Sequence, residues 1–405
     1  MRLDFERKNL IESASSPFAH SNQKADLTFL VSSEGELEQS RALIEKALSQ
    51  NNLIEIIYSS PSVEGKCQKI FESHKVQVRL LRLPLLSASP FSFMYFQNVW
   101  QWVSSDVIIF CRYDFFPELL AFKFFNKKMI LISGAFKKMS WFKRQSFSFF
   151  SYIVAATDSE KEKFHNLLHL PNNCLKSCDL RIPRIIERKN LAEITLQSKT
   201  EISQYIELLK QIPMTQKIVF GSAWASDLEL LNRPEFISDL RLGKIHLTIV
   251  PHKLDEKFVF GLKQKIDRIL GTGFVEILNQ NNPFKNSAVT IFQVGGVLCE
   301  LYSHFQFAYV GGGYERSIHS VLEPFFMGCA VIVGPKIERS TEFDLVKEVL
   351  SDEIHVLNNP NSFYTLYMEM SLNMNKSLNL NARNLAVVKM QKEMEELCSE
   401  IIHAR

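Results

Sequence analysis

No stretch of the 405 residues approaches the ~18 consecutive apolar residues of a membrane-spanning helix, so any membrane contact is expected to be peripheral. The opening MRLDFERKNL is charged and has no apolar h-region, which argues against a secretory leader. Net charge is nearly absent: Lys plus Arg exceed Asp plus Glu by 47 − 44 = 3, so the overall balance implies no nucleic-acid partner. Cysteine is sparse as well. Cys67, Cys111, Cys174, Cys178, Cys299, Cys329 and Cys398 are odd in number and scattered, several in apolar strand-like contexts, which fits reduced thiols rather than a disulfide framework. Cys174 and Cys178 form the only close pair, with no second pair to complete a zinc site. His165 and His169 stand four apart on a predicted helix, but no carboxylate pattern accompanies them, and no metal is expected.

What is present is a soluble globular composition, 46% apolar and 22% charged, on a chain long enough for two or three domains. The order of elements alternates strand and helix. A short apolar strand over 27–33 leads through Glu34-Gly35-Glu36 into LEQSRALIEKAL, whose Leu37, Leu43, Ile44 and Leu48 share one helical face. In open α/β sheets ligands sit beyond the carboxyl ends of strands, which puts Glu36 in a crevice; an acidic first-turn residue favoured by the helix dipole is the equal alternative. Strands follow over 53–58 and 76–81, with a polar turn at 59–62 and a helix over 64–74 between them, and then DVIIFC at 106–111 running into Arg112, Asp114 and Pro117. Strands over 129–133 and 152–156 complete an alternating βαβ half.

Acidic residues are missing altogether from 119–157. The same stretch holds Lys123, Lys127, Lys128, Lys137, Lys138, Lys143 and Arg144 among Phe122, Phe124, Phe125, Phe136, Trp141, Phe142, Phe147, Phe149 and Phe150. Rings and cations interleaved in this way suit an anionic membrane surface or a phosphorylated lipid, each cation near the surface adding about 1 kcal/mol. Single-stranded nucleic acid and an ordinary core with solvated lysines are the alternatives.

The strand pattern lapses at 178–203, read as the inter-domain connection, and the boundary is expected near residue 190, giving domains over 1–190 and 191–405. A second series follows: strands over 217–220, 246–250 and 275–278, and then residues 289–335. That last stretch reads as strand 289–293, a short helix, strand 307–310, a turn at Gly311-Gly312-Gly313, a helix over 318–327 and a strand over 330–333. Glycines there allow close backbone approach, and a helix beginning behind them offers unpaired N–H groups to a phosphate, with Glu323 one turn on for sugar hydroxyls. A tight turn with no ligand gives the same pattern. A final helix over 382–402 is expected to pack back on the first half.

Laid out together, SSEGELEQSRALIE at 32–45, SSPS at 59–62, RYDFFP at 112–117, DLRIPRI at 179–185, FGSAW at 220–224, VPH at 250–252 and YVGGGYERSIHSVLEP at 309–324 resemble the Kdo transferases of bacterial lipopolysaccharide synthesis. These enzymes move 3-deoxy-D-manno-octulosonic acid (Kdo) from CMP-Kdo to lipid A precursors. The resemblance implies α/β domains in a GT-B architecture, two Rossmann-like doubly wound domains facing across a cleft, with closure between them. It implies that Glu36 is the general base of an inverting transfer, a role in which a positioned carboxylate contributes about 10²–10⁴-fold. It implies that Ser222, His252, Gly312, Gly313, Ser317, His319 and Glu323 hold the CMP part of the nucleotide-sugar donor, with helix amides on the leaving phosphate and no metal or cofactor. Arg112, Asp114 and the basic aromatic segment with Lys137, Lys138, Lys143 and Arg144 are then expected to face the acceptor lipid, at the cytoplasmic side of the inner membrane.

The chain departs from that pattern in places. Many members of the family have Gly-Glu-Leu at Gly296-Val297-Leu298, Asn at Ser320, Gly-Asp at Cys178-Asp179 and Gly at Val63, and many begin with a membrane-spanning helix. With Glu36 retained, the reading is a divergent, active transferase. A GT-B enzyme using another nucleotide sugar, and a lipid-binding relative without turnover, are the alternatives.

Overall fold

The computed structural model describes residues 23–83, 99–112, 117–136, 145–169, 171–279, 285–338, 340–373 and 380–403. The chain divides into two compact units, Met1–Pro183 with Lys389–Arg405, and Arg184–Val388. The division thus falls at Pro183 rather than near residue 190, and the Ile182–Asn190 helix belongs mostly to the second unit.

The first unit is built on a seven-stranded parallel sheet of β1 (Leu27–Val31), β2 (Ile54–Tyr58), β3 (Val78–Arg82), β4 (Val107–Cys111), β5 (Lys128–Gly134), β6 (Tyr152–Ala155) and β7 (Leu175–Ser177), in the order β3-β2-β1-β4-β5-β6-β7. A parallel sheet covered on both faces buries residues of both parities, so its strands are apolar runs rather than alternations. Every residue of β1, β2 and β4 is accordingly buried. Phe29, Ile56, Ile109 and Ile130 face one layer of the core, with Leu43 and Ile44 of the Glu34–Ser49 helix. Leu30, Ile57, Phe110 and Leu131 face the other. Glu55 in the middle of β2 is wholly buried and accepts hydrogen bonds from Arg79, Thr28 and Ser104. The last helix runs over Leu380–Ile402, and from Lys389 on it completes this unit by placing Leu397, Cys398, Ile401 and Ile402 in the first of those layers.

The basic aromatic stretch splits in two ways. Phe122, Phe147 and Phe150 are core residues, and Phe136 packs against Phe147 and Phe164 at ring separations of 5.6 Å each. These rings therefore belong to the ordinary core. Phe124 and Phe125, by contrast, are 79% and 50% exposed at the end of a short 3-10 turn, beside exposed Lys123. Lys137, Lys138, Lys143, Arg144, Trp141 and Phe142 lie outside the described residues, as does Asp114. No helix among the described residues is long and apolar enough to cross a membrane.

The second unit repeats the plan with β8 (Lys217–Ala223), β9 (His246–Pro251), β10 (Val275–Leu278), β11 (Val289–Phe292), β12 (Phe307–Val310), β13 (Ala330–Val333) and β14 (Ile354–Val356), all parallel, in the order β10-β11-β9-β8-β12-β13-β14. Two strands escaped the sequence reading, β7 and β14. Each is three residues long, lies at a sheet edge and carries a polar residue at its centre, Lys176 or His355, so no apolar run marks it.

In each sheet the direction of strand order reverses once beside the first strand, between β1 and β4 and between β8 and β12. Loops leaving neighbouring strands on opposite faces part there, and the crevice beyond the carboxyl ends of those strands is where such sheets take ligands.

Candidate functional site

At the second switch point, β8 ends in Gly221-Ser222-Ala223 and β12 runs into Gly311-Gly312-Gly313. Ser222 has φ +51°, in the left-handed region, and the β8/β9 register shifts between Phe220 and Ala223, so a bulge turns the chain out of the sheet at this serine. Gly312 has φ +96°, a conformation that favours glycine. Gly313 lies against Gly334, where an added Cβ would come within 2.6 Å of backbone.

The close approach that these glycines permit is thus to the protein itself. Gly311 packs on the Ser222 carbonyl, Gly312 on that of Ser317, and Gly313 on Gly334. The helix behind the turn is also shorter than expected, Leu322–Met327 instead of 318–327. Its leading amides are occupied: the N–H groups of Val321 and Leu322 donate to Glu342 Oε2 at 2.9 and 3.4 Å. The expectation that these amides meet a leaving phosphate is therefore corrected. A carboxylate from the Thr341–Val349 helix already satisfies them and the positive end of the helix dipole.

The turn is held by a residue that the sequence reading passed over. Asp227, fully buried, accepts the Trp224 N–H at 2.7 Å, the Gly312 N–H at 3.3 Å and the Tyr309 hydroxyl at 2.7 Å, so that the loop after β8 and the turn after β12 share one carboxylate. Burial raises its pKa against those hydrogen bonds, which lower it. An Asp placed before the apolar pair Leu230-Leu231, with a tyrosine in the buried strand FAYV needing a hydroxyl partner, was the available signal.

Over this turn lie three rings. Trp224 stacks on His252 with centroids 4.3 Å apart, His252 stacks on His319 at 4.3 Å, and the indole N–H donates to His319 Nε2 at 3.0 Å. Lys253 Nζ stands 5.6 Å from the Trp224 centroid. Burial, then the neighbouring His252, pushes His319 down to about 4. Burial, then Lys253, lowers His252. Of the residues expected on a donor, Ser222, His252, Gly312, Gly313, Ser317 and His319 are brought together here. The Glu323 carboxylate meets Arg188 Nη1 at 3.3 Å, and Arg188 also makes a bidentate pair with buried Glu300 at 2.7 Å through Nε and Nη2. That pair raises the Arg188 pKa against the opposing effect of burial. Arg188 and Glu300 were not anticipated. Their sequence separation, 112 residues, hides the pairing.

At the first switch point Ser33 caps the Glu34–Ser49 helix through its side chain, and Glu36 in the first turn is buried. Glu36 Oε2 accepts from both the N–H and the hydroxyl of Ser32, at 2.7 and 2.6 Å. A carboxylate there serves the helix terminus, as the dipole argument allows, and also stands at the carboxyl end of β1. Arg112, at the end of β4, has φ +59° and donates its N–H to the Ile132 carbonyl. Asp179, also buried, is gripped by the Arg181 backbone and guanidinium. Burial works against the Asp179 carboxylate, but Arg181 and then Arg112 outweigh it and hold the group below its ordinary value. A hollow of about 20 Å³ lies beside Ser32, Ser59, Leu83, Phe110 and Cys111. The larger hollow of about 450 Å³, in the second unit by Gln204, Glu207, Gln211 and Asn286, contains none of these site residues.

Among the described residues no group of three or more His, Cys, Asp or Glu side chains is arranged to hold a metal ion.

No protein-family model matches the chain. Among curated proteins, it is 21% identical over 314 residues to a protein of Rickettsia typhi named 3-deoxy-D-manno-octulosonic acid transferase, with 74% of this chain and 62% of the relative covered. The chain thus spans less than two thirds of that relative's length. Among solved structures, a glycosyltransferase from Rickettsia africae matches with TM-score 0.59 at 14% identity, covering 94% of this chain and 99% of that one. The UDP-GlcNAc 2-epimerase of Neisseria meningitidis, bound to UDP-GlcNAc, matches with TM-score 0.56 at 14% identity, covering 90% and 99%. The fold is the two-domain α/β fold of the GT-B type. It serves both transferases and epimerases, so activity must be argued from the sites.

Proposed function

We propose that this protein is an inverting glycosyltransferase that moves Kdo from CMP-Kdo to a lipid A precursor at the cytoplasmic face of the bacterial inner membrane. The observation that carries the reading is the gathering of Ser222, His252, Gly312, Gly313, Ser317 and His319 at the switch point of the second sheet, where an α/β unit takes a nucleotide. The similarity to the Rickettsia typhi Kdo transferase supports the choice of sugar.

In this reading the acceptor hydroxyl gives its proton to Glu36 as its oxygen attacks the anomeric carbon of Kdo. The bond from that carbon to the phosphate oxygen breaks, CMP leaves with the electron pair, and the configuration inverts. The two hydrogen bonds from Ser32 orient the Glu36 carboxylate for that transfer. Because the amides of Val321 and Leu322 serve Glu342, the charge on departing CMP is assigned in this reading to the side chains of His252, His319 and Ser317. Arg112, at the carboxyl end of the first sheet, is assigned to the acceptor.

The test is a transfer assay with CMP-Kdo generated in place and a tetra-acylated lipid A precursor, read by mass spectrometry of the lipid for the wild type and Glu36→Gln. Kdo added by the wild type and lost in the variant, with the melting temperature little changed, is the expected result. Equal transfer by Glu36→Gln removes the base assignment; transfer by neither, with CMP binding absent in calorimetry, removes the donor assignment.

A further inference from the structure

Trp224 stands in FGSAW, a stretch singled out in the sequence, yet no role was given to its indole. Trp Nε1–H is a donor only, and it meets His319 at Nε2, 3.0 Å away. The nitrogen that accepts this bond must carry a lone pair, so the histidine is neutral and its single ring proton sits on Nδ1. Three further features hold the arrangement. The His319 backbone N–H donates to the Gly311 carbonyl at 3.2 Å, its ring edge lies against Gly312, and its face stacks on His252, itself stacked on Trp224. The loop after β8 that carries Trp224 is pinned by Asp227 to the same turn. Among the described residues no protein partner meets the Nδ1 side of the ring.

We infer that Trp224 is a positioning residue, which locks His319 as the Nδ1–H tautomer and so presents a fixed neutral hydrogen-bond donor to an anionic group of the ligand at the glycine turn. The inference rests on the reading of this turn as the nucleotide-sugar site. A neutral donor of set tautomer fits a phosphate whose charge changes during transfer. It gives a directed hydrogen bond without the proton uptake and desolvation that an imidazolium beside a second histidine entails. The groups that face His319 are Trp224 on the loop after β8, His252 after β9, and Glu342 on the Thr341–Val349 helix, with Lys253 and Glu315 acting on His252. Lowered by its burial and by His252, the ring remains uncharged at neutral pH, in keeping with that donor role.

The experiment is nitrogen-15 NMR of the histidine rings in the full chain, with His319 assigned by His319→Gln, for the wild type, Trp224→Phe and Trp224→His, alongside calorimetric titration with CMP. The wild type is expected to show His319 as the Nδ1–H tautomer with no protonation between pH 8 and pH 5. Trp224→Phe keeps a stacked ring but lacks the donor. It should mix the tautomers, bring the titration up toward the ordinary range and weaken CMP several-fold, on the order of 5, as one neutral hydrogen bond allows. Trp224→His restores a ring N–H and should recover part of both effects, which a role in packing alone would not produce. An Nε2–H tautomer in the wild type, or a Trp224→Phe spectrum unchanged at His319, overturns the inference. If the tautomer shifts in Trp224→Phe while CMP affinity stays the same, the donor role falls. If CMP binds neither protein while the wild-type tautomer is as expected, the nucleotide-site reading fails and takes with it the ligand assigned to Nδ1–H.

Discussion

Replacing Asp227 separates its two roles, as an acceptor for three donors and as a buried charge. In Asp227→Ala the Trp224 N–H, the Gly312 N–H and the Tyr309 hydroxyl all lose their acceptor in a site closed to water. A buried donor left unsatisfied costs about 1–3 kcal/mol, so the loss of three should be roughly 3–9 kcal/mol before relaxation. For a unit of this size, each kcal/mol lowers the melting temperature by roughly 2–4 °C. Asp227→Asn behaves differently. Its amide oxygen can accept both N–H groups while its NH₂ donates to Tyr309, whose oxygen also accepts, so the network survives with a cost of about 1 kcal/mol or less. The pH dependence has a definite sign. A carboxyl whose folded pKa is raised above its ordinary 3.8 contributes stability that is full below that value and is lost as pH rises through the folded pKa. Asp227→Asn removes that loss and should compare more favourably with the wild type at pH 7 than at pH 4. Differential scanning calorimetry at both pH values, with CMP titration of each variant, reads all of these quantities. An Asp227→Ala protein as stable as the wild type would refute the network argument. One that is destabilised but binds CMP normally would refute the claim that Asp227 shapes the turn.

Three further outcomes are expected. Arg79→Ala leaves Glu55 buried without its guanidinium and should cost about 3–5 kcal/mol, measured by urea unfolding of the full chain; a change under 1 kcal/mol would contradict the burial of that pair. His246, pushed down to about 4 from 6.5 by burial and then by Lys217, takes up its proton first in the unfolded chain. Stability is therefore full above pH 6.5 and falls by about 3 kcal/mol as pH drops toward 4, a loss that His246→Gln should reduce in melts at the two ends of that range. Phe124→Ser with Phe125→Ser should weaken sedimentation with anionic vesicles and leave the melting temperature nearly unchanged, since both rings are exposed; vesicle binding that ignores the pair would remove them from any lipid-facing surface.

Much of this fold is readable in the sequence because parallel strands buried on both faces leave apolar runs. The strands at 275–278, 307–310 and 330–333 match the observed β10, β12 and β13. The edge strands β7 and β14, three residues each, leave no such trace. The glycine turn was legible as a turn, but not as what it packs against. Gly334, Ser222 and Ser317 are its neighbours, and Glu342, about twenty residues beyond the helix start, is the carboxylate that caps it. Local spacing can reveal that a backbone must come close to something. It does not say whether that something is a ligand or another strand. The aromatic stretch teaches the same lesson, since Phe122 and Phe124 differ by two positions on a 3-10 turn and end respectively in the core and in solvent.

Two devices that often meet a phosphate, a glycine turn and free helix amides, serve internal contacts in the second unit. Their use there is consistent with the rings above them. Asp227 and Glu342 immobilise the backbone from two sides, one at Trp224 and Gly312 and the other at Val321 and Leu322. His319 lies between these anchored points, so its ring position is determined by backbone that cannot shift readily. Backbone amides offered directly to a ligand would need to stay unsatisfied until it arrived, at a cost of about 1–3 kcal/mol for each buried group. With the amides already paired, the proposed donor site would draw its specificity from side chains whose orientation is fixed by stacking and by a single indole hydrogen bond. On the proposed reading, that transfer of duty from backbone to rings is how this unit would keep the glycine turn, lose the open phosphate cradle that the sequence suggested, and still offer ordered side chains to a ligand at the switch point of its sheet.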